Sequence, residues 1–468
     1  MKLTRKSKLK LICLLLVITM LSTMMYSMAI SGIITDELYS ETDCIATEAI
    51  IAEYGIEFWR NYKGSVCNID IIRASFPRTR AGNSIYPSYF GGFYINDDGV
   101  LTTLIVENAR SESFNNASEY MLGLETILAA GRGEFGRSMI IRYVEFSYAE
   151  LNTKRIHIRE FIRNNFEREA AINILSFYVD VINNKIVVNV IDGSDEQIAT
   201  FRREITDSPM VTFRELGGEP FSLYDYIAML RPPVPNVVYT DNDIIAEEYS
   251  TPLSNGGIVQ PGQPIFARFN GVLTEIGSMG FRMSRSDGSR PGFITSAHVV
   301  GAPDAIFPVG TSIYNSAGNA IGSISASTDV RFQLIDAAFV QLNTGWQVSN
   351  IPFGLTNVSA LTFTARTPVV GEFVVKRGGT TPLPISSSRI VRAHYDFNVG
   401  RGWDIEVTIT NYASRHGDSG GIVWHVATGQ ISGIHHARHP RPNSPYFDHA
   451  LFTRAVDIAP DFSPLVLR

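Results

Sequence analysis

A serine flanked by glycines near the C-terminus has the local chemistry of a nucleophile. The stretch RHGDSGGIVW, residues 415–424, places Asp418 and Ser419 among three glycines and then continues into apolar residues. Glycines allow a tight backbone path on which N–H groups converge on one point, as stabilisation of an oxyanion requires. Considered alone, this stretch is also compatible with a polar Asp-Ser-Gly turn that has no chemical role.

A general base and an orienting acid occur earlier in the chain. His298 follows the apolar stretch GFITSAHVV, and a near-neutral imidazole can take a serine proton and return it to a leaving amine. Asp336 interrupts the apolar stretch FQLIDAAFVQL, where a carboxylate is costly without a strong partner. Each residue has an alternative interpretation when it is taken singly: His298 as a histidine of the core, and Asp336 as an acid at a strand end that faces water. Together, the order His298, Asp336, Ser419 predicts a catalytic triad.

The elements around these residues have the pattern of many short strands. In residues 255–468 helical spacing nearly vanishes, and β-rich runs are separated by Gly, Pro and Ser. These runs include GFITSAHVV, FQLIDAAFVQL, EFVVKRG, DIEVTITNY and GGIVWHV. About 200 residues of this pattern predict an all-β barrel or sandwich.

The N-terminal half has a mixed pattern. FGGFYINDDGVLTTLIVE predicts two strands around an Asp-Asp-Gly turn, and FYVDVINNKIVVNVID predicts a hairpin around Asn183 and Asn184. SESFNNASEYMLGLETILAAG and SYAELNTKRIHIREFIRNNFEREA have helical spacing, the second with Ser147 as N-cap. Residues 31–230 are therefore interpreted as an α+β unit. Residues 231–254, rich in Pro, Gly and acids, are interpreted as a linker or processing segment.

The first 30 residues have the pattern of a targeting segment. MKLTRKSKLK carries five positive charges and precedes the apolar stretch LICLLLVITMLSTMMYSMAI. Cleavage after Ala29 would make this a secretion signal, whereas retention would leave residues 11–30 as a membrane anchor. Polar Ser and Thr residues interrupt the apolar stretch, which favours the signal peptide.

Length, charge and cysteine content exclude some classes of protein. The 468 residues predict two or three domains, and a net charge of −6 without a dense basic run beyond residue 10 argues against nucleic-acid binding. Cys44 and Cys67 are the only cysteines after the apolar stretch, and the sequence leaves open whether they form a disulfide.

The C-terminal motifs resemble those of chymotrypsin-like serine proteases. ITSAHV is similar to the family's strand leading into the catalytic histidine, IDAAFV to its aspartate segment and GDSGG to its nucleophile motif. The resemblance spans residues 255–468. It implies an all-β double six-stranded β-barrel with His298 as general base, Asp336 as orienting acid and Ser419 as nucleophile. It also implies an oxyanion hole formed by the N–H groups of Gly417 and Ser419.

Further residues resemble bacterial secreted proteases of the streptogrisin and alpha-lytic type. VGEFVVKRGGTTPLPISSSRIV contains a similar Arg-Gly-x-Thr-Thr segment, in which an arginine neutralises the buried acid before the nucleophile. This implies a structural ion pair between Arg377 and Asp418. Stretches within residues 31–230 resemble pieces of the pro-domains of such proteases. The resemblance implies a folding partner and inhibitor that is removed by cleavage in the linker.

The segment QISGIHHAR resembles the strand beside the specificity pocket. Gly433-Ile434-His435 is similar to the Gly-Ile-His of glutamyl endopeptidases, which implies that His435 and Ser414 recognise Glu or Asp by charge-assisted hydrogen bonds. The alternative is a loop with surface histidines. The histidines at 435, 436 and 439 have no catalytic Glu among them, and prolines follow, so no metal or other cofactor is expected.

The sequence thus predicts a secreted serine endopeptidase made as a precursor. Its expected partners are protein or peptide substrates and its own pro-domain, with no nucleic acid and with membrane contact only through an uncleaved N-terminal segment. One alternative is a membrane-anchored protease with a permanent regulatory N-terminal domain. The other is a catalytically silent binding protein on a protease fold. The predicted divisions of the chain are a signal or anchor at 1–30, an α+β pro-domain at 31–230, a linker at 231–254 and a chymotrypsin-like domain at 255–468.

Overall fold

The fold is described from a computed structural model, in which residues Ile45–Arg468 form one unit by their internal contacts. The expected signal or anchor segment 1–30 and the expected linker 231–254 lie outside the described residues. No helix among the described residues is both long and apolar enough to cross a membrane. The structure describes residues 44–78, 84–107, 125, 127, 139–218, 256–269, 271–300, 307–328, 335–355, 360–381, 387–398, 404–439, 444–446 and 449–467.

The N-terminal part begins with two helices and a small sheet. The helices are α1 (Cys44–Tyr54) and α2 (Ile56–Ser75), and the sheet contains β1 (Phe90–Ile95), β2 (Leu101–Val106) and β3 (Met139–Val144). β1 and β2 are antiparallel around the Asp-Asp-Gly turn, which confirms the predicted hairpin, and β3 is parallel to β2. Cys67, on α2, has a free thiol, and the side chain of Cys44 lies outside the described residues.

A second α/β segment follows. Its elements, in chain order, are α3 (Tyr148–Asn164), α4 (Glu169–Ile172), β4 (Ile174–Asp180), β5 (Lys185–Val190), α5 (Asp195–Glu204) and β6 (Val211–Glu215).

Local signals explain two of these elements. Ser147 caps α3, since its hydroxyl accepts from the Glu150 N–H while the Glu150 carboxylate accepts from the Ser147 N–H, as predicted for this N-cap. β4 and β5 form the predicted hairpin, with Asn184 in the left-handed region at φ 52°. The helix expected from SESFNNASEYMLGLETILAAG falls almost wholly outside the described residues.

The C-terminal part is built of short strands, with a 3₁₀ helix at Ala297–Val300 and α6 at Ala455–Asp461. The strands are β7 (Gly257–Val259), β8 (Pro264–Phe269), β9 (Val272–Ser278), β10 (Arg282–Arg285), β11 (Gly292–Thr295), β12 (Ser312–Tyr314), β13 (Ala320–Ser327), β14 (Ala338–Leu342), β15 (Trp346–Val348), β16 (Thr362–Ala365), β17 (Phe373–Arg377), β18 (Ser387–Asn398), β19 (Asp404–Thr410), β20 (Ile422–His425), β21 (Gln430–Arg438), β22 (Ala450–Arg454) and β23 (Leu465–Leu467).

Strand pairing among the described residues divides this part into two large sheets and the separate parallel pair β7–β15. The first has eight strands in the order β23-β10-β11-β14-β13-β12-β8-β9, and its pairings among the described residues do not close into a ring. In the second sheet β17, β20, β21, β22, β19 and β18 are neighbours in that order, and β18 also pairs with β17. These six strands therefore form a closed ring. The described residues are mostly β, as expected, but they do not confirm the double six-stranded barrel, because one sheet closes into a six-stranded ring and the other is open with eight strands.

The N-terminal part extends the second sheet. β4 pairs antiparallel with β18, with Tyr178 opposite Tyr395, so that β4, β5 and β6 continue the sheet beyond the closed ring. The hydroxyl of Tyr395 lies 2.7 Å from that of Ser176 on β4. A strand added to an exposed edge satisfies backbone groups that would otherwise face water. The two halves of the chain are therefore joined by a continuous hydrogen-bonded sheet.

A buried ion cluster crosses the same junction. Arg155 and Arg159 on α3 reach Asp396 on β18 and Glu406 on β19, and Arg159 contacts both carboxylates. Arg454 on β22 lies 2.6 Å from Glu406. All five side chains are at most 8% exposed. Burial alone would raise the pKa of Glu406, but the three guanidinium groups hold it well below its usual value.

An apolar core also crosses the junction. Tyr62 and Ile69 of α2 belong to the same buried cluster as Phe373 of β17 and Trp424 of β20. The Tyr62 hydroxyl accepts from the Phe373 N–H at 2.9 Å and lies 2.9 Å from Nε2 of His425. Separating the halves would expose this apolar surface and leave buried polar groups without partners.

We expect that replacing Arg159 by methionine lowers the free energy of unfolding by about 3–5 kcal/mol, because it leaves buried carboxylates short of a cation. Urea denaturation measures the change. The matched control is Arg202→Met on α5, where the side chain is 57% exposed and its loss should cost under about 1 kcal/mol. Equal losses in the two variants would contradict a role for the buried cluster.

The pH dependence of this difference follows from Glu406. A carboxyl group with a lowered folded pKa contributes stability that is complete above its unfolded value, here 4.5, and that declines as the pH falls towards the folded value. The gap between the parent and Arg159→Met should therefore stay constant above about pH 5 and shrink in stronger acid.

Candidate active site

The structure brings His298 and Asp336 together. Nδ1 of His298 lies 2.5 Å from Asp336 Oδ2, and the His298 backbone N–H donates to Asp336 Oδ1 at 2.9 Å. Asp336 is completely buried, whereas His298 is partly accessible. A carboxylate held on both oxygens by one residue fixes the orientation of that imidazole and the proton on its Nδ1.

Local structure explains how both residues reach this point. β11 ends at Thr295, and the 3₁₀ helix that starts at Ala297 turns His298 out of the strand. Asp336 lies two residues before β14 and not within a strand as its sequence context had suggested. β11 and β14 are antiparallel neighbours, with Thr295 opposite Ala338, so the end of one strand meets the beginning of the other.

Ser419 reaches the same region from the second sheet. Its carbonyl accepts from the Ser278 N–H at 2.8 Å. The next N–H, that of Gly420, donates to the His435 carbonyl at 2.8 Å, and the Ser296 hydroxyl donates to the same carbonyl at 3.1 Å. The segment before His298 and the segment after Ser419 are therefore bonded to one acceptor.

The Ser419 hydroxyl is directed to a backbone carbonyl. Its Oγ donates to the carbonyl of His436 at 3.2 Å. Nε2 of His298 has no hydrogen-bond partner among the described residues. Transfer of the serine proton to His298 therefore requires a rotation of the Ser419 side chain, a type of adjustment common in active sites without substrate.

The glycines beside Ser419 shape a candidate oxyanion hole. Gly417 has φ 91°, and a Cβ there would lie 2.7 Å from Thr380 Cγ2 and 2.8 Å from Glu275 Oε1. Only glycine fits this conformation without strain. The N–H groups of Gly417 and Ser419 donate to no protein acceptor in the described part of the chain, whereas that of Asp418 donates to the Arg415 carbonyl at 3.1 Å.

The expected ion pair between Arg377 and Asp418 is wrong, because the cation is Lys376. Nζ of Lys376 contacts Asp418 Oδ2, and both side chains are buried. The Arg377 guanidinium instead donates to the carbonyls of Phe353, at 2.7 Å, and Thr381. Successive side chains of a strand point to opposite faces, so β17 directs only one of these two cations towards Asp418.

Asp418 has several further donors. Its carboxylate accepts from the Thr380 hydroxyl at 2.9 Å, the Thr381 hydroxyl at 3.0 Å and the Arg415 N–H at 2.8 Å. Burial acts to raise the pKa of Asp418, but the Lys376 cation and the Arg415 N–H lower it. Burial lowers the pKa of Lys376 to about 8. The pair is therefore ionised at neutral pH and holds the loop that carries Ser419.

His435 and Ser414, the two residues expected to determine specificity, contact different partners. His435 is buried, with Nδ1 3.1 Å from the Tyr412 hydroxyl, and burial lowers its pKa well below the usual value. Ser414 is also buried, and its hydroxyl accepts from Arg438 Nε at 3.1 Å. His435 is therefore neutral near pH 7, and the cations of this region are Lys376, paired with Asp418, and Arg438, bonded to Ser414.

Sequence reasoning missed that His436 lies next to the Asp336 carboxylate. Its Nδ1 lies 2.7 Å from Asp336 Oδ2, the oxygen that also contacts His298. His298, Asp336 and His436 are the group of potential metal ligands found in the described part of the chain. Tetrahedral zinc ligands lie about 3.3 Å apart when the Zn–N bonds are about 2.0 Å. The spacings at Asp336 are shorter than this, and that between Asp336 and His298 is a hydrogen bond, so the group suits a shared ion poorly.

A comparison with protein families finds a match within the N-terminal half. Residues 149–216 match a family model described as a Pro-like C-terminal domain, and these residues run from α3 to β6. No curated protein matches the chain.

Solved structures similar to part of the chain include several proteases. They include a Nocardiopsis protease at 20% identity and a TM-score of 0.35, and an alpha-lytic protease homologue, N4, at 19% and 0.35. A third is a glutamic acid specific serine protease, described as using a histidine triad in substrate binding, at 19% and 0.36. Each likeness covers 45% of this chain and 100% of the other.

We expect that Lys376→Met lowers the free energy of unfolding by about 3–5 kcal/mol, because Asp418 is left as an unpaired buried anion. Arg377→Met, which removes the neighbouring cation and keeps the pair, should cost less. The double variant Lys376→Met with Asp418→Asn should recover part of the loss, because no charge remains. Denaturant titration measures all three, and a larger loss in Arg377→Met would restore the original assignment.

Proposed function

We propose that this protein is a serine endopeptidase. The observation that carries the proposal is the buried Asp336 carboxylate bonded to His298 next to a loop that presents Ser419. The acid, the base and the hydroxyl come from three separate parts of the chain. Burying a carboxylate costs free energy, and buried pairs of ionisable groups are typical of functional sites. A polar turn at Ser419 would need none of these partners.

The mechanism is acyl transfer. Ser419 Oγ attacks the scissile carbonyl as His298 Nε2 takes its proton, and His298 then donates that proton to the leaving amine. Asp336 keeps the Nδ1 proton in place and stabilises the imidazolium. Water, deprotonated by His298, hydrolyses the acyl-enzyme and regenerates Ser419. The reaction requires no cofactor.

The oxyanion that forms on the substrate would accept from Gly417 and Ser419. Both N–H groups lack a protein acceptor among the described residues, and the Asp418 N–H between them points away to Arg415. The Lys376–Asp418 pair and the backbone bonds of Gly420 and Gly421 hold this loop before substrate arrives. Donors fixed in advance stabilise the transition state without a cost of reorganisation.

We further propose secretion through residues 1–30 and cleavage of the precursor between the two halves. After such a cut, the N-terminal half would remain bound. The β4–β18 pairing, the ion cluster around Glu406 and the shared core at Tyr62 support this arrangement. The N-terminal half would act as folding partner and inhibitor until it is itself degraded. A permanent regulatory domain is the second candidate, and the same buried junction favours it.

The substrates proposed for this site are peptides with an acidic residue on the acyl side of the cut bond. The cation would be Arg438, which bonds to Ser414, rather than His435, whose pKa is lowered by burial. His435 would contribute a neutral hydrogen bond with Tyr412 behind it. Arg438 offers a planar set of donors suited to a carboxylate.

We expect that the chain expressed from residue 31 reacts with a fluorophosphonate probe and that Ser419→Ala does not, because the probe requires an activated serine. Asp336→Asn should slow peptide hydrolysis by about 10⁴-fold. The matched control is Ser289→Ala, which removes the serine of an exposed Asp-Gly-Ser turn and should leave labelling unchanged.

The same samples distinguish the alternatives. Mass spectrometry locates a cut, and gel filtration after the cut tells whether the two fragments stay together. A parent protein that stays unlabelled even after limited proteolysis, with intact folding, would indicate a silent binding protein. A labelled parent that never splits would indicate a permanent N-terminal domain.

We expect peptide-library profiling to show Glu and Asp enriched on the acyl side of the cut. Arg438→Met should lower kcat/KM for a Glu substrate by about 10- to 100-fold, because a charge-assisted bond is lost, and should change a matched Gln substrate far less. Ser414→Ala, which keeps the cation, is the control. The absence of acidic enrichment in the parent would refute this preference.

A further inference from the structure

Ser278, the last residue of β9, is bonded to the loop that carries Ser419. It is completely buried, and its hydroxyl donates to the Gly417 carbonyl at 2.5 Å and accepts from the Gly379 N–H at 2.7 Å. Both directions are unambiguous, because a carbonyl only accepts and a backbone N–H only donates. The Ser278 N–H also donates to the Ser419 carbonyl at 2.8 Å. One residue of the first sheet therefore holds this loop at two points.

The peptide group between Gly417 and Asp418 lies between the two candidate oxyanion donors. The N–H of Gly417 precedes this peptide group in the chain, and the N–H of Ser419 follows it. Its carbonyl is bonded to the Ser278 hydroxyl, and its own N–H, that of Asp418, is bonded to the Arg415 carbonyl at 3.1 Å. Because a peptide group is planar, bonds at both of its ends fix its rotation. The relative directions of the two donors depend on that rotation.

Residue 417 itself supplies little restraint. With φ at 91° and with Thr380 and Glu275 within 2.8 Å of where a Cβ would lie, the position accepts only glycine without strain. Glycine has the widest range of backbone rotation of any residue. The direction of its N–H must therefore be fixed by hydrogen bonds from other parts of the chain.

We propose that Ser278 is a positioning residue, whose hydroxyl holds the Gly417–Asp418 peptide group so that the N–H groups on either side of it point at one oxyanion. The inference rests on the proposed function, because the direction of these donors matters only if an oxyanion forms. Donors that are fixed in advance stabilise the transition state without a cost of reorganisation. Ser278 acts through the backbone of the loop rather than on the substrate.

The bond from Gly379 strengthens this restraint. The Gly379 N–H occupies a lone pair of the Ser278 oxygen, which leaves the hydroxyl hydrogen to the Gly417 carbonyl. Hydrogen bonds that follow one another in a chain polarise and strengthen each other. A Cβ on Gly379 would lie 2.7 Å from Pro264 Cβ, so the backbone at this point is packed closely against β8.

Ser65 on α2 provides a matched control, because it has the same set of bonds away from the candidate site. It is completely buried, and its hydroxyl donates to the Gly99 carbonyl at 2.8 Å and accepts from the Leu101 N–H at 2.7 Å. Replacing either serine by alanine leaves one buried carbonyl and one buried N–H without that partner. The two variants should therefore lose stability for the same reason, and a difference in catalysis reports on the loop.

The test compares Ser278→Ala, Ser278→Thr and Ser65→Ala in the full chain. We measure kcat and KM for a peptide substrate and the inhibition constant of a peptide aldehyde with the same side chains. Ser419 adds to the aldehyde, and the oxygen of the resulting hemiacetal occupies the oxyanion hole, whereas the matching peptide alcohol has no carbonyl to attack. Ser278→Cys, whose thiol is only a weak donor, is measured in the same way if the alanine variant does not fold.

We expect Ser278→Ala to lower kcat by about 10- to 100-fold with KM nearly unchanged, a smaller loss than the roughly 10²- to 10³-fold caused by removing an oxyanion donor itself. The inhibition constant of the aldehyde should rise by the same factor as kcat falls, and that of the alcohol should not change. Ser278→Thr, which keeps the hydroxyl, should recover most of kcat. Ser65→Ala should lower the Tm as Ser278→Ala does, with the parental kcat and aldehyde affinity.

Three outcomes would overturn the inference. The first is a Ser278→Ala enzyme with the parental kcat and aldehyde affinity. The second is an equal loss of affinity for the aldehyde and the alcohol, which would indicate general damage to the site. The third is a Ser278→Thr enzyme of parental stability that is as impaired as Ser278→Ala. A parent protein without labelling or turnover would refute the proposed function instead.

The hydrogen bond itself can be tested without turnover. Gly417-Asp418 is the only Gly-Asp pair in the sequence, so carbonyl-¹³C glycine combined with ¹⁵N aspartate gives a single HNCO signal, from this peptide group. In the Ser419→Ala background, Ser278→Ala should move the ¹³C shift of this signal upfield, because the carbonyl loses a donor, and Ser65→Ala should leave it in place. An unmoved signal in Ser278→Ala would overturn the inference.

Discussion

The candidate site depends on the burial of one carboxylate. Asp336 is fully shielded from water, and an anion in that environment is tolerated only if donors surround it. Its oxygens accept hydrogen bonds from the backbone N–H and the ring of His298, and the ring of His436 packs beside them. The bonds between Asp336 and His298 tie the end of β11 to the beginning of β14, and His436 on β21 lies next to them. The serine loop is then bonded to the same framework through Ser278 and His435.

Buried charge is used in the same way elsewhere in the molecule. Lys376 and Asp418 hold the loop around Ser419, and Arg155, Arg159 and Arg454 surround Asp396 and Glu406 at the junction of the two halves. Each cluster joins elements that are distant in sequence, and each would leave an unpaired buried charge if one element moved away. Such clusters specify a single arrangement more than they add net stability. A site whose groups must stay aligned benefits from that specificity.

The junction between the halves changes the interpretation of the N-terminal region. The sequence alone predicts a removable pro-domain here, and residues 149–216 match a family model described as a Pro-like C-terminal domain. In the structure, however, α2 also contributes Tyr62 to a core that contains strands of the C-terminal half, and Arg366 on the C-terminal side lies 2.8 Å from Asp70 of α2. A cut in the intervening chain would therefore not by itself separate two bodies that share a sheet, an ion cluster and a core.

Features governed by neighbouring residues could be predicted from the sequence. Short patterns predict the hairpins at Asp97–Gly99 and Asn183–Asn184, the capping of α3 by Ser147 and the candidates His298, Asp336 and Ser419. They do so because turns, caps and nucleophile loops are set by local backbone geometry.

Contacts between distant segments could not be predicted from the sequence. Whether Lys376 or Arg377 meets Asp418 depends on which face of β17 points inward, and the contact of His436 with Asp336 depends on the packing of β21 against the start of β14. The β4–β18 pairing likewise joins strands more than 200 residues apart. Tertiary structure decides these contacts, because residue spacing along the chain carries no information about which faces of separate strands will meet.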